Sequence, residues 1–176
     1  MLRKVTASAA LGLILITLVG CANPPETIQV PKGTELVLAL TQPLSTAKDT
    51  VGMSFTAASI KEVAINGHKI VASGDTFKGI ISHMVKPGTD TSASMTLDFQ
   101  DALGPDGKPR PIHAQPIMLE ASSDTTVAMP KVIGAESGSG QEPVMVPAVQ
   151  GNIVLPEGTT FSVFIVEPTE LPVLTD

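Results

Sequence analysis

The chain has one cysteine, no tryptophan, no tyrosine and only five phenylalanines among 176 residues. A single cysteine excludes an intramolecular disulfide and any multi-thiol zinc site. So few aromatics leave no base-stacking platform for single-stranded nucleic acid and no aromatic girdle for a membrane-spanning barrel. Basic residues are scarce as well. Eleven Lys and Arg against 17 Asp and Glu give a net charge of −6, the wrong sign for a phosphate-binding surface, so no nucleic-acid partner is expected. The longest apolar run, Ala7 to Val19, is broken only by Ser8 and Thr17 and falls short of the roughly 20 residues that cross a bilayer.

Turn chemistry, by contrast, is plentiful. Fifteen Gly and fifteen Pro are spread through aliphatic runs, which suits many short strands and suits long helices poorly. One phrase recurs. Pro31-Lys32-Gly33-Thr34 leads into Glu35 to Leu40, Pro156-Glu157-Gly158-Thr159 leads into Thr160 to Ile165, and a looser copy occupies residues 71–81. Proline presets φ for the second position of a turn, and glycine two positions on supplies the positive φ that other residues resist. Three turn-strand units in a chain of one-domain length predict a compact β domain that buries about two-thirds of its unfolded surface.

Between these phrases the alternation of side chains marks further strands. Leu36, Leu38 and Leu40 fall on one face and Val37 and Ala39 on the other, so this strand is expected in an interior position between layers. Gly52 precedes an alternating run from Phe55 through Ile60 to Ile65. Asn66-Gly67 is a type I′ hairpin signal that should pair Glu62–Ile65 with His68–Val71. A strand follows over Phe77–Val85, then a polar loop from Pro87 to Ala93. Met95, Leu97 and Phe99 alternate against Ser94, Thr96 and Asp98, as in a strand with one wet face. Pro105-Asp106-Gly107 reads as a turn, and Pro111 to Gln115 as a strand interrupted by Pro116. Residues 120–150 show no consistent period and are expected to form a long mobile loop. The tail beyond Pro168 is expected to fray.

The N-terminus indicates location. Arg3 and Lys4, the apolar run, and Leu18-Val19-Gly20-Cys21 together resemble the signal segment and lipobox of bacterial lipoproteins. That resemblance implies cleavage before Cys21, with a diacylglycerol on its thiol and an acyl chain on its amine. One acyl chain anchors only marginally, at about 0.8 kcal/mol per buried CH₂, whereas several chains hold stably. Ala22 in place of Asp after the cysteine implies export to the outer membrane, facing the periplasm. Loss of residues 1–20 takes Arg3 and Lys4 away and moves the net charge from −6 to −8, so lipid rather than surface charge should hold the body at the membrane. Ala22 to Glu26, with Pro24-Pro25, reads as an extended spacer.

The polar residues form no recognisable reactive set. His68, His83 and His113 match no zinc spacing. Asp75 and Asp106 sit in turns, where aspartate is favoured for local hydrogen bonds. Ser122-Ser123 and Ser137-Gly138-Ser139-Gly140 lack the strand-to-helix context of a nucleophile elbow. Met84, Met95 and Met118 are expected to fill the core.

Taken in order, the Pro-x-Gly-Thr turn and Thr41-Gln42-Pro43-Leu44 resemble the C-terminal barrel domain of TrbI-like subunits of type IV secretion and conjugation channels. So do Gly52 before Phe55-Thr56-Ala57, Asn66-Gly67, Gly74 before Thr76, Leu97-Asp98-Phe99 and the Leu155-Pro156-Glu157-Gly158-Thr159 phrase. The resemblance covers residues 28–118 and 152–166 and implies a twisted antiparallel barrel. It does not carry channel formation. The long periplasmic arm, the inner-membrane helix and the apolar pore hairpin of that family have no counterpart here, and Asp124, Lys131, Glu136 and Glu142 occupy the region of the hairpin.

The expected fold is therefore all-β, a single small antiparallel β-barrel or barrel-like sandwich behind a cleavable lipoprotein signal peptide. The expected boundaries are a signal peptide at 1–20, a lipidated spacer at 21–27, a barrel domain at 28–167 and a tail at 168–176. The expected function is a non-enzymatic, outer-membrane-anchored structural or protein-interaction module of the cell envelope, accessory to type IV secretion or conjugation in one version. Its expected partners are the membrane through Cys21 and an envelope protein, with homo-oligomerisation left open, and exposed strand edges and the 120–150 loop would serve as contact surfaces. No metal or cofactor is expected. The alternative is a barrel that binds a small molecule in its mouth. A hydrolase is a remote third reading, because no nucleophile–base pair is visible.

Overall fold

The recurring phrase makes the same turn twice. In the computed structural model, which describes residues 26–104, 107–122, 144–149 and 151–174, Gly33 and Gly158 lie at φ of 86° and 83°. The threonine that follows each glycine returns its hydroxyl to the proline carbonyl, Thr34 to Pro31 at 2.8 Å and Thr159 to Pro156 at 2.7 Å. The two copies also hold each other. The Gly33 N–H donates to the Ile165 carbonyl (2.8 Å) and the Ile165 N–H to Thr34 (3.0 Å). At the other turn the Gly158 N–H donates to Leu40 (2.8 Å) and the Leu40 N–H to Thr159 (2.9 Å). Each phrase thus grips the end of the other's strand, as the halves of a two-fold contact do.

The fold is all-β. After β1 (Thr27–Val30) come β2 (Glu35–Leu40), β3 (Leu44–Ser45), β4 (Ser54–Ser59), the hairpin β5 (Val63–Ile65) and β6 (His68–Val71), and β7 (Thr76–Val85). They are followed by β8 (Ser94–Leu103), β9 (Pro109–Pro111), β10 (Ile117–Ser122), β11 (Val144–Val149), β12 (Asn152–Leu155), β13 (Thr160–Phe164) and β14 (Thr169–Pro172). The main sheet runs β13-β2-β4-β7-β8-β10-β11-β12-β3. Its two ends are one ladder. Thr160 faces Ala39, and five residues on from Ala39 and five back from Thr160, in unchanged register, Leu155 faces Leu44. β2 with β3 and β12 with β13 are therefore two bent strands that lie side by side and close the sheet into a ring, which leaves no long free edge.

Alternation fills the ring. Leu36, Leu38, Leu40, Phe55, Phe77, Ile81, Met95, Leu97, Phe99, Leu119, Ile153, Leu155, Phe161 and Val163 are buried in one core, while residues such as Thr56, Lys78, Ser82, Thr96 and Asp98 alternate outward. Val37 and Ala39 are half-buried, so β2 is a wall with an inner and an outer face rather than a strand between layers. At the lower end the β1–β14 ribbon and the β5–β6 hairpin close the barrel. The hairpin turns at Asn66 and Gly67 with φ of 53° and 82°, as the Asn-Gly pair predicts. Met95, Leu97 and Phe99 face inward as expected, and Phe77 to Val85 is a strand as expected.

Several expectations are corrected. Residues 120–122 and 144–149, expected as loop, belong to the strands β10 and β11, and β11 lies parallel to β10, with Leu119 opposite Val144. One pair in an otherwise antiparallel barrel is therefore parallel. The expected loop's remaining span, 123–143, lies outside the described residues. The tail does not fray at Thr169: β14 pairs with β1, Thr27 opposite Pro172, and Leu171 is buried. The strand expected over 111–115 is placed earlier, at Pro109–Pro111, with only Ala114 bridged to Ile165. The run from Phe55 to Ile65 breaks at Ile60, which is half exposed between β4 and β5. The body begins at Thr27, one residue inside the expected spacer. The turn at 105–107 lies partly outside the described residues, and the Gly107 N–H bonds the Gly104 carbonyl at 2.8 Å.

Candidate functional site

The barrel interior is occupied by side chains. Leu36, Leu38, Met95, Leu97, Phe99 and Phe161 are each at most 1% exposed. The rings of Phe55 and Phe99 meet edge to face, 5.2 Å apart at 85°, the arrangement that aromatic quadrupoles favour. Gly79 makes room for that pair. A Cβ there would lie 2.5 Å from Phe55 Cζ and 2.6 Å from the Asp98 carbonyl oxygen. No buried side-chain nitrogen or oxygen among the described residues lacks a hydrogen-bond partner, so the interior polar groups serve structure. The Thr46 hydroxyl receives the Ile153 N–H at 3.1 Å and donates to Asn152 Oδ1 at 3.2 Å, and the Asp49 carboxylate receives the Ser45 N–H at 2.6 Å.

Among the described residues, open concavities lie at the barrel's ends and flank. Beneath the hairpin, Ile70, Phe77, Ala102, Leu171 and Leu174 surround a gap of about 10 Å³, room for about one water. A shallow cleft of about 420 Å³ lies where β8 diverges from the crossing segment 111–114, with Asp98, Gln100 and Asp101 on one side and His113 and Glu167 on the other. His113 Nδ1 and Glu167 Oε2 are 3.9 Å apart, and both side chains are largely exposed, so this contact is a weak surface pair. At the upper end a cleft of about 270 Å³ has a mixed lining, with Thr89, Asp90, Thr91 and Ser92 beside Pro87, Ala121 and Ala148.

The residues singled out in the sequence do not converge. His68 is exposed at the hairpin, His83 is exposed on β7, and His113 lies beyond β9. Among the described residues no three His, Cys, Asp or Glu side chains are grouped to hold a metal ion. Asp75 closes its turn, accepting the Ala72 N–H at 2.8 Å. Ser122 ends β10. Cys21, Asp106, Ser123 and Ser137 to Gly140 lie outside the described residues. Met95 fills the core as expected and Met84 is half-buried, but Met118 faces outward. With Met145 and Val154 it gives the outer wall of β10, β11 and β12 an exposed apolar character. Ring closure pairs the strand edges of the main sheet, the edge strand β9 carries two prolines that block further pairing, and the two-stranded β1–β14 and β5–β6 sheets keep their outer edges.

The outer Met118–Met145 feature was missed because β11 was missed. Its signal was the short apolar run Val144-Met145-Val146, masked by Pro147 one residue on. No protein family's pattern matches this chain, and no curated protein is significantly similar to it.

Proposed function

We propose that this chain is a non-enzymatic lipoprotein of the bacterial cell envelope, anchored through acyl chains on Cys21 to the periplasmic face of the outer membrane and acting through protein contacts. The observation that carries the reading is the filled interior. A barrel whose inner positions are taken by Leu36, Leu38, Met95, Leu97, Phe99 and Phe161 offers its outside, not its inside, to other molecules. The same packing removes the ground for a ligand held within the barrel. A closed β-barrel suits the scaffold that the TrbI-like resemblance implies, and an accessory role in type IV secretion or conjugation is the version we favour, although a scaffold does not by itself set a function.

Two measurements test this. A Cys21→Ser protein should leave the membrane fraction for the soluble periplasmic fraction, and retention in the membrane pellet would remove the anchor from the account. Crosslinking in intact cells should capture an envelope protein, and recovery of none would remove the protein-contact role.

A further inference from the structure

The end of the barrel that faces the membrane follows from the length of the tether and the place where it joins the body, given the lipid attachment at Cys21 proposed above. The body takes hold of the chain at Glu26, whose carbonyl accepts the Val173 N–H at 2.8 Å. From Cys21 to Glu26 is five residues of travel, which at full extension spans at most about 17 Å.

The point of attachment lies at the lower end. Thr27 is opposite Pro172, the Leu174 N–H donates to Lys69 of the hairpin at 2.8 Å, and the Thr169 hydroxyl donates to Pro111 at 2.7 Å. The ribbon thus lies across the end formed by β5, β6 and β9. The other end carries the 86–93 loop and Gly151. β7 alone, rising from Thr76 to Val85, covers roughly 30 Å along the strand, or about 23 Å of barrel height at the usual strand tilt. The loops extend beyond that. The tether is therefore shorter than the barrel is tall. The barrel therefore cannot stand on its upper end while the acyl chains stay inserted, and its lower end is always held within that reach of the headgroups.

We infer that the ribbon end is the barrel's membrane end, with β1–β14 and the β5–β6 hairpin against the lipid headgroups, and that the upper end, with Thr89, Asp90, Thr91 and Ser92, is the one farther from them. The lower surface carries mixed charge, Lys32 and Lys61 beside Glu26, Glu62 and Glu170, all exposed. Tether length rather than electrostatic attraction then sets the orientation.

The absence of native tryptophan makes the test clean. Lipidated full-length His68→Trp and Thr89→Trp proteins are reconstituted into phosphatidylethanolamine–phosphatidylglycerol vesicles that contain a little dansyl-labelled headgroup lipid. Energy transfer from tryptophan to dansyl should be several-fold greater for His68→Trp than for Thr89→Trp. A flexible Gly/Ser insert of about twenty residues after Ala22 adds roughly 25 Å of mean reach and should bring the two signals together. Equal transfer without the insert, or greater transfer from Thr89→Trp, overturns the orientation. A difference that survives the insert overturns tether length as its cause. Flotation of the same vesicles reads the anchor separately: protein that does not float refutes lipid attachment at Cys21 itself.

Discussion

Gly79 shows how tightly single residues specify this barrel. Its missing side chain is the space taken by the Phe55 ring, which in turn sits edge-on to Phe99. Gly79→Ala should therefore destabilise the fold by about 1–3 kcal/mol through overpacking. The check is the urea midpoint, which should fall while the m-value stays constant. An unchanged midpoint would mean that Phe55 can step aside at no cost. The two threonines of the repeated turn give a matched comparison. Both hydroxyls bond the proline carbonyl three residues back, but Thr159 is 5% exposed and Thr34 is only half-buried. Replacement by valine keeps the volume and removes the hydrogen bond. Thr159→Val should cost about 1 kcal/mol because the Pro156 carbonyl loses one of two hydrogen bonds away from water, keeping the residue-159 N–H at 3.1 Å, and Thr34→Val less, since water can substitute. Equal losses in thermal unfolding would assign the effect to turn geometry rather than burial.

At the scale of the element, β14 is held by its side chains as well as by its pairing with β1. Leu171 is 2% exposed and Thr169 and Pro172 are buried, so the ribbon is part of the core's cover. Leu171→Ala should cost about 2–4 kcal/mol through the cavity it leaves, and amide exchange at Val30 and Leu171 should quicken more than at Leu38. The local elements were legible in the sequence. Pro-x-Gly-Thr, Asn66-Gly67 and the Met95–Phe99 alternation act within a few residues, where turn chemistry and period suffice. β14 was not legible, because Thr169 to Pro172 is a strand only through its partner β1, on the far side of the sequence. β11 is the same case: it becomes a strand by lying parallel to β10, a pairing that no hairpin turn announces. The site was less legible than the fold. Cys21 has a sequence signature, whereas the upper cleft is made by chain segments that are distant in sequence.

At the scale of the molecule, the repeated turn phrase is what brings the chain's two halves together. It places β2 against β13, so that Ser162 bonds Glu35 across 127 positions, and the β1–β14 ribbon joins residues still further apart. Loop closure over such a span is slow to search, and folding on the millisecond-to-second scale is expected. Thr27 and Pro172 face each other, so a short linker can join them, and the exposed residues Thr89 and Asp90 can become the new ends. In that permuted body, lacking residues 1–26, the separation between Glu35 and Ser162 falls roughly fourfold. The closure cost then drops by about 1.2 kcal/mol. If the two bent strands meet before the folding barrier is crossed, the permuted body should refold several-fold faster than the unpermuted one in stopped-flow experiments, with its unfolding rate little changed. Refolding at the unpermuted rate would place the closure of the ring after the barrier, with the β4-β7-β8 meander as the part that forms first.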